Sequence, residues 1–552
     1  MDVPNARSLE TCAALTAGLL ESENSDDRAL VRVMDAVGAN MPDEHYITDH
    51  DIYQGLTAAF VQAPAQARSF FESVARALGL SKLELRAELS SIMREAAHAA
   101  APWPEEAQSR SLMVRRALLA HNIQLIDNNP RGASNKFRAL CEDLFCFARG
   151  TAQLFAEFHL APFTIGSIQP PRLEGINLDA LPTVMALWDN HPENKGVIPG
   201  AEHPIFHCND FDECFPGSPI NDIVNGAVKL MIHGQRYGFD ETCRMRVVGR
   251  YLDGYLKAID GFAQGNANPV EPLDQSFGDA VVPQSVLILL EDVKGRTQRN
   301  FLAKYLTKNG SFKNKKPKKP GDTGIENIPL QKMNGDDRKI KGEIERSLRE
   351  MFLHLGRRPE FDLMAFARRT GSGIGSIGRS RFYTCIEIED KQAERQKIIL
   401  EFKAPLAAAA EDMDLSRRKV TNNGERIAEA TRELVPEGDP WTGHTHFDGM
   451  TWSVKERSRF KTSLDLSSMD TRELMEVSTY FGMLDAQCHA RSDPGRAHLT
   501  GGSIVTQIHD SVTNPGDLKR SLIQAASEIT HQLRADYAAF KLDYNAGLYD
   551  FG

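Results

Sequence analysis

Residues 371–404 read GSGIGSIGRSRFYTCIEIEDKQAERQKIILEFKA. Two β-rich runs, RFYTCIEIE and KIILEFKA, flank a polar connection, which predicts a β-hairpin. Ahead of it stand Gly371, Gly373, Gly375 and Gly378, and 373–378 satisfies G-x-G-x-x-G. In a dinucleotide-binding domain that run joins a strand to a helix. Here a strand follows, which argues against a Rossmann turn and for a glycine-rich flap on an antiparallel hairpin.

The rest of the chain sets this hairpin among helices. Its 552 residues are too many for one ordinary core. Residues 1–105 read as an Ala-rich helical extension. FFESVARALG and LELRAELSSIMREAAHA there place apolar residues at three- and four-residue steps. A second region, 106–307, starts and ends helical. Its middle, 161–220, is rich in Pro, Gly, Asn and Asp, with short apolar pieces such as LPTVMAL and HPIFH, the pattern of strands and loops. Residues 308–345 form a basic linker and a connecting helix; KNGSFKNKKPKKP carries six lysines and two prolines. Residues 346–552 hold the glycine loop, the hairpin, a further strand near 451–458 and C-terminal helices. HTHFD (444–448) reads as a polar loop. The expected class is therefore α+β, in two lobes, and not a doubly wound sheet.

Composition narrows the setting. Net charge is −10, which disfavours broad nucleic-acid binding. The eight cysteines form no C-x-x-C pair. Reduced thiols in a cytoplasm are expected, with no zinc ribbon. The N-terminus has no basic region of the secretory kind, and no run of eighteen apolar residues occurs. No membrane span is expected.

The chemistry concentrates in 187–224. DNHPEN places Asp189 and Asn194 five residues apart, with Pro192 stiffening the turn. Phosphoryl transfer needs a carboxylate for the acceptor's proton and a neutral oxygen beside it for magnesium. The kinase catalytic loop supplies both as Asp-x-x-x-x-Asn. His191 is expected to shape this loop. Twenty-one residues after Asp189, Asp210 and Asp212 follow the apolar PIF run, as carboxylates that clamp magnesium against phosphates do. Lys403 ends the second strand of the hairpin and needs an anion, since a lone buried ammonium is costly. Phosphates and a helix carboxylate would serve. Glu411, Glu425 and Glu429 are candidates for the latter, and periodicity does not choose among them. A transition-metal site at His191, His203 and His207 is disfavoured by Pro204 and the strand-like IFH run. Arg149 reads as an ion-pair arginine, and a substrate role for Arg491 stays open.

Together these segments resemble the bacterial proteins grouped as "domain of unknown function 2252". The resemblance rests on FARGTAQLF (147–155), DNHPEN, NDFDE (209–213), GSGIGSIG, EFKA, GERIAEA (424–430), CHARSD (488–493) and RADYAAF (534–540), in family order. It implies the protein-kinase-like superfamily. Residues 189–222 also look like the core of aminoglycoside and choline-type kinases. That likeness implies Asp189 as base with His191 beside it, magnesium on Asn194, Asp210 and Asp212, and Asp222 as a structural acid. It further implies Gly373, Gly375, Ser376 and Gly378 over ATP phosphates, Lys403 on them, and Glu429 as the partner of Lys403. Three positions depart from the pattern: Trp188 where glycine precedes the loop Asp, His207 where an acid is usual, and Ser218 where Asp is common. Ordinary kinases place the glycine flap and lysine before the catalytic loop. Here they come later, so the lobes are expected to be circularly permuted. The implied activity is ATP- and Mg2+-dependent phosphoryl transfer to a small molecule or peptide. A nucleotide-binding pseudokinase, or adenylylation or ligation on the same fold, are the alternatives.

Overall fold

The structure is a computed structural model that describes residues 107–160, 173–200, 203–278, 281–317, 324–329, 335–370, 380–389, 395–411, 422–447, 449–492 and 503–551. The extension expected over 1–105, and Gly373, Gly375, Ser376 and Gly378, lie outside the described residues. The chain divides into two compact units, one of the residues before Asn135 with Ala535–Gly552, the other Asn135–Arg534.

In the first unit, helix α1 (Ala107–Asn128) buries Val114, Ala117 and Leu118. Its Arg115 grips Asp543 with both ends of the guanidinium fork, Nη2 to Oδ1 at 2.6 Å and Nε to Oδ2 at 2.8 Å.

The second unit is α+β. Its helical part includes α2 (Leu144–Gly150), α3 (Pro219–Arg236), α4 (Glu241–Ala263) and α8 (Thr471–Arg491). Two glycines let α4 and α8 touch backbone to backbone. A Cβ on Gly254 would lie 1.9 Å from the Thr479 carbonyl oxygen, and one on Gly482 would lie 2.0 Å from that of Tyr251. Helix α8, from the last third of the chain, reaches the loops of 187–222 through Asp485 at Asn190 and His489 at Asp222. Two small antiparallel pairs frame those loops, β1 (Val184–Ala186) with β4 (Phe215–Gly217) and β2 (Lys195–Ile198) with β3 (Ile205–Cys208).

A six-stranded antiparallel sheet forms the other part, in the order β5-β6-β7-β8-β10-β9. The strands are β5 (Gly324–Ile328), β6 (Phe361–Thr370), β7 (Arg381–Glu389), β8 (Arg395–Lys403), β9 (Gly443–Phe447) and β10 (Met450–Glu456). The predicted hairpin is β7–β8, with Arg381 opposite Lys403. Strand β8 is buried on both faces, so its sequence reads as a nearly continuous apolar run. Ile398, Leu400 and Phe402 face a core closed by Ile344, Leu348, Met351 and Phe352 of α6 (Gly335–His354). Ile399 faces the opposite core, closed by Phe301 and Tyr305 of α5 (Gln298–Tyr305) and by Phe312. By period-two alternation, Glu401 and Lys403 share the face of Ile399. Helix α7 (Asn423–Leu434) follows β8 in the chain.

Two local readings change. The described part of the basic segment, 308–317, is not a free linker. Phe312 is buried, and isolated bridges join Leu306 to Phe312 and Lys315 to Ile325. HTHF is strand β9, paired with β10, and not a polar loop. Alternation explains it: Thr445 and Phe447 are buried while His446 is exposed. Among the described residues no helix is long and apolar enough to cross a membrane.

Candidate functional site

The loop 187–194 is held from below by Asp222, which is fully buried at the start of α3. Its carboxylate accepts from the backbone N–H of Leu187 at 2.6 Å and of Trp188 at 2.8 Å, and His489 of α8 lies 3.0 Å away. Trp188 is the one non-glycine among the described residues with positive φ, at 57°. That conformation is where glycine is the default and where a side chain is strained. Here the surroundings fix it. The indole is fully buried, its Nε1 donates to the Phe215 carbonyl at 2.9 Å, and Asn225 donates to the Trp188 carbonyl at 2.5 Å. The tryptophan thus takes up a backbone shape that glycine adopts most readily.

That shape presents Asp189. One carboxylate oxygen pairs with the ammonium of Lys229, a buried lysine of α3. Asn194 donates its amide N–H to the Asp189 carbonyl at 2.9 Å, so its amide oxygen is the atom left for a cation. His191 is buried, and burial first, then the charges of Arg149 and Lys229, hold its pKa well below the ordinary value. Its Nε2 is 3.7 Å from Asp189, beyond a hydrogen bond. Burial and the neighbouring cations thus favour the neutral ring, which packs edge-on against Phe145.

The β2–β3 hairpin explains the spacing between the two acidic motifs. Lys195 opposes Cys208, so the next residues outward, Asn194 and Asn209, meet, with Asn209 N–H donating to the Asn194 carbonyl at 3.0 Å. This brings Asp210 beside Asn194. Burial works against the charge of Asp210, but Lys403, Lys455, Lys461 and Arg381 together hold its pKa to about 2. Arg426 of α7 ties down the same segment. It donates to the carbonyls of Cys214 at 2.5 Å, Asp212 at 2.9 Å and Leu406 at 3.0 Å.

From the sheet comes Lys403, buried, with its ammonium paired to Asp212. Burial pushes Lys403 down to about 8, against the pull of Asp210. The expected partner was Glu429. The structure corrects this: Glu429 is exposed on α7 and its charge acts on His444, while the carboxylates at Lys403 are Asp212 and Asp210. The face of α7 that turns inward carries Arg426 in place of an acid. Beside Lys403, the buried Glu401 binds Arg369, and Arg381 at 3.2 Å. Burial pushes Glu401 up, but these guanidinium groups outweigh it and hold the carboxylate ionised, well below the usual range.

Asp189, His191, Asn194, Asp210, Asp212 and Lys403 all line one pocket, open to solvent. Its charge is polarised. The acids Asp189, Asp210, Asp212 and Glu213 come from the loop side, and Arg369, Arg381, Lys403, Lys455, Arg457 and Lys461 from the sheet and the segment after it; the exceptions, Arg149 and Glu401, are each held in an ion pair. The oxygen donors of Asn194, Asp210 and Asp212 suit a hard cation such as Mg2+, which binds one or two carboxylates together with phosphate oxygens. The basic wall suits the phosphates themselves.

Sequence reasoning missed Lys229, Arg381, Lys455 and Lys461. Lys229 had a signal, a lysine inside the apolar run GAVKLMI of an otherwise buried helix. Arg149 pairs with Glu193 and also lines the cavity. Arg491 is buried and structural, bonded to the carbonyls of Pro269 at 2.7 Å and Leu434 at 3.0 Å. His207 meets Cys208 and Cys488 in a buried cluster. Both its ring nitrogens are engaged there, by the Cys208 N–H at 2.9 Å and Gln487 at 3.2 Å.

No curated protein and no solved structure matches the chain. The model of the family described as "Uncharacterized protein conserved in bacteria (DUF2252)" matches residues 129–543, well over half of the chain. The protein belongs to that family.

Proposed function

We infer that this protein is an ATP- and Mg2+-dependent phosphotransferase, with a kinase-like, circularly permuted two-lobed site, acting on a small molecule or peptide. One observation carries the reading. Lys403 meets Asp212 in the cavity that also holds Asp189, Asn194 and Asp210, although the two sets lie about two hundred residues apart in the chain. The arrangement of the sheet supports it. A glycine-rich segment joins the first and second strands of the β6–β7–β8 meander, the third strand ends in the lysine, and a helix follows. These are the relative positions of flap, lysine and helix in a kinase nucleotide lobe.

In this reading Asn194, Asp210 and Asp212 would hold Mg2+, which would neutralise phosphate charge. Lys403 exchanges Asp212 for phosphate oxygens, and Arg381, Lys455 and Lys461 add positive charge along the same wall. Asp189, oriented by Lys229, accepts the proton of the attacking hydroxyl or amine. The rate comes from positioning and charge neutralisation.

The test is nucleotide turnover by the purified protein with acceptor pools, following ADP and pyrophosphate separately. Wild type is expected to release ADP. Asp189→Asn is expected to lose turnover while keeping the wild-type circular dichroism spectrum. Turnover of Asp189→Asn near the wild-type rate would remove Asp189 as the base, and pyrophosphate as product would replace phosphoryl transfer by adenylyl transfer.

A further inference from the structure

A second pocket, open to solvent, adjoins the charged one and shares Asp212, Glu401, Lys403, Lys455, Arg457 and Lys461 with it. Its other walls are largely apolar: Ile198 and Phe211 from the loop side, Ile427 and Val435 on and just after α7, and Val454 on β10. The sheet face that carries Glu401 and Lys403 offers no alternative. Its apolar residues Ala367, Tyr383, Cys385 and Ile399 are already covered by Phe301, Leu306 and Phe312, and Arg457 closes onto Tyr305 at 3.1 Å. A flat group attached to a phosphate chain on the basic wall therefore has one apolar place to go among the described residues.

We propose that the phosphate-bearing ligand is a nucleotide whose base enters this cavity beneath α7, and not the covered face of β6 and β7. This deepens the phosphotransferase reading and rests on it. The cavity also supplies a polar contact. Asp439 accepts from the Trp441 and Glu456 backbone N–H groups at 2.8 and 2.7 Å. Burial and the neighbouring Asp439 push the Glu456 carboxyl up to about 8. At neutral pH Glu456 can both donate and accept a hydrogen bond, as a heterocyclic base edge requires.

The experiment measures binding of Mg·ATP and of Mg·tripolyphosphate by calorimetry, with the full chain. Wild type is expected to bind Mg·ATP about tenfold or more tightly than Mg·tripolyphosphate, because burial of the base against apolar walls adds to the phosphate contacts. Thr431→Phe, on the wall of the cavity, is expected to bring Mg·ATP down to the tripolyphosphate level and leave tripolyphosphate unchanged. If Thr431→Phe does not fold, Ile198→Phe places bulk from the opposite wall with the same expectation. Equal binding of the two ligands by wild type would overturn the base cavity. So would folded variants that keep the preference for ATP. Either result leaves the phosphate site standing. Binding of neither ligand would overturn the phosphotransferase reading and the base cavity together.

Discussion

At the scale of single residues, Trp188 shows how a departure from a pattern is absorbed. The loop needs a left-handed residue before Asp189, and glycine would supply it freely. Tryptophan at φ 57° carries strain of about 1–2 kcal/mol, but its buried indole contributes more. Trp188→Gly relieves the strain and empties the indole site, which costs about 3–5 kcal/mol. The variant should be less stable by roughly 1–4 kcal/mol, read as a lower unfolding midpoint in urea. A variant as stable as wild type would mean that the indole packing is dispensable. Legibility varied along the same loop. Asp189, Asn194, Asp210 and Asp212 were readable because short-range spacing sets their geometry. Glu429 was misread because the choice among helix acids depends on how α7 is rotated, which no local pattern fixes. Lys229 left a trace as a lysine inside an apolar helical run, but its role, like that of Arg381, shows only once its partner is known.

At the scale of elements, the hairpins carry most of the information. Strands β7 and β8 were visible from their apolar runs, and β1 and β3 from the short apolar pieces LPTVMAL and HPIFH. Strand β6 went unseen because FDLMAFARRT mixes helix and strand formers, and its pairing with β5 and β7 decides the matter. Helix α7 is the clamp that joins sheet to loops. Leu434 and Ala430 pack with Leu187, Phe211 and Cys214, and Arg426 caps three carbonyls. Arg426→Met keeps the bulk and strands those carbonyls. Each lost charge-assisted bond is worth about 1.5–3 kcal/mol, discounted because some carbonyls will find water. Arg426→Met should lower the melting temperature by several degrees. An unchanged melting temperature would show that α7 is held by its apolar face alone.

At the scale of the whole molecule, two stretches within 149–213 and 369–461 build one polarised cavity. Helix α8 contributes His489 and Asp485 beneath the loops, and β8 contributes Lys403 across from them. The sequence shows both motif sets and their inverted order. It does not show that they meet, because that depends on packing between residues far apart in the chain. The central claim is that the two sets form a single Mg·nucleotide site. The direct measurement is the dissociation constant of ATP with and without Mg2+, for wild type, Asp210→Asn and Lys403→Met. Wild type should require Mg2+ for tight binding, Asp210→Asn should lose most of that requirement, and each variant should bind Mg·ATP about tenfold or more weakly, as the loss of a charged contact predicts. No binding of Mg·ATP by wild type, or binding that neither substitution disturbs, would contradict the account.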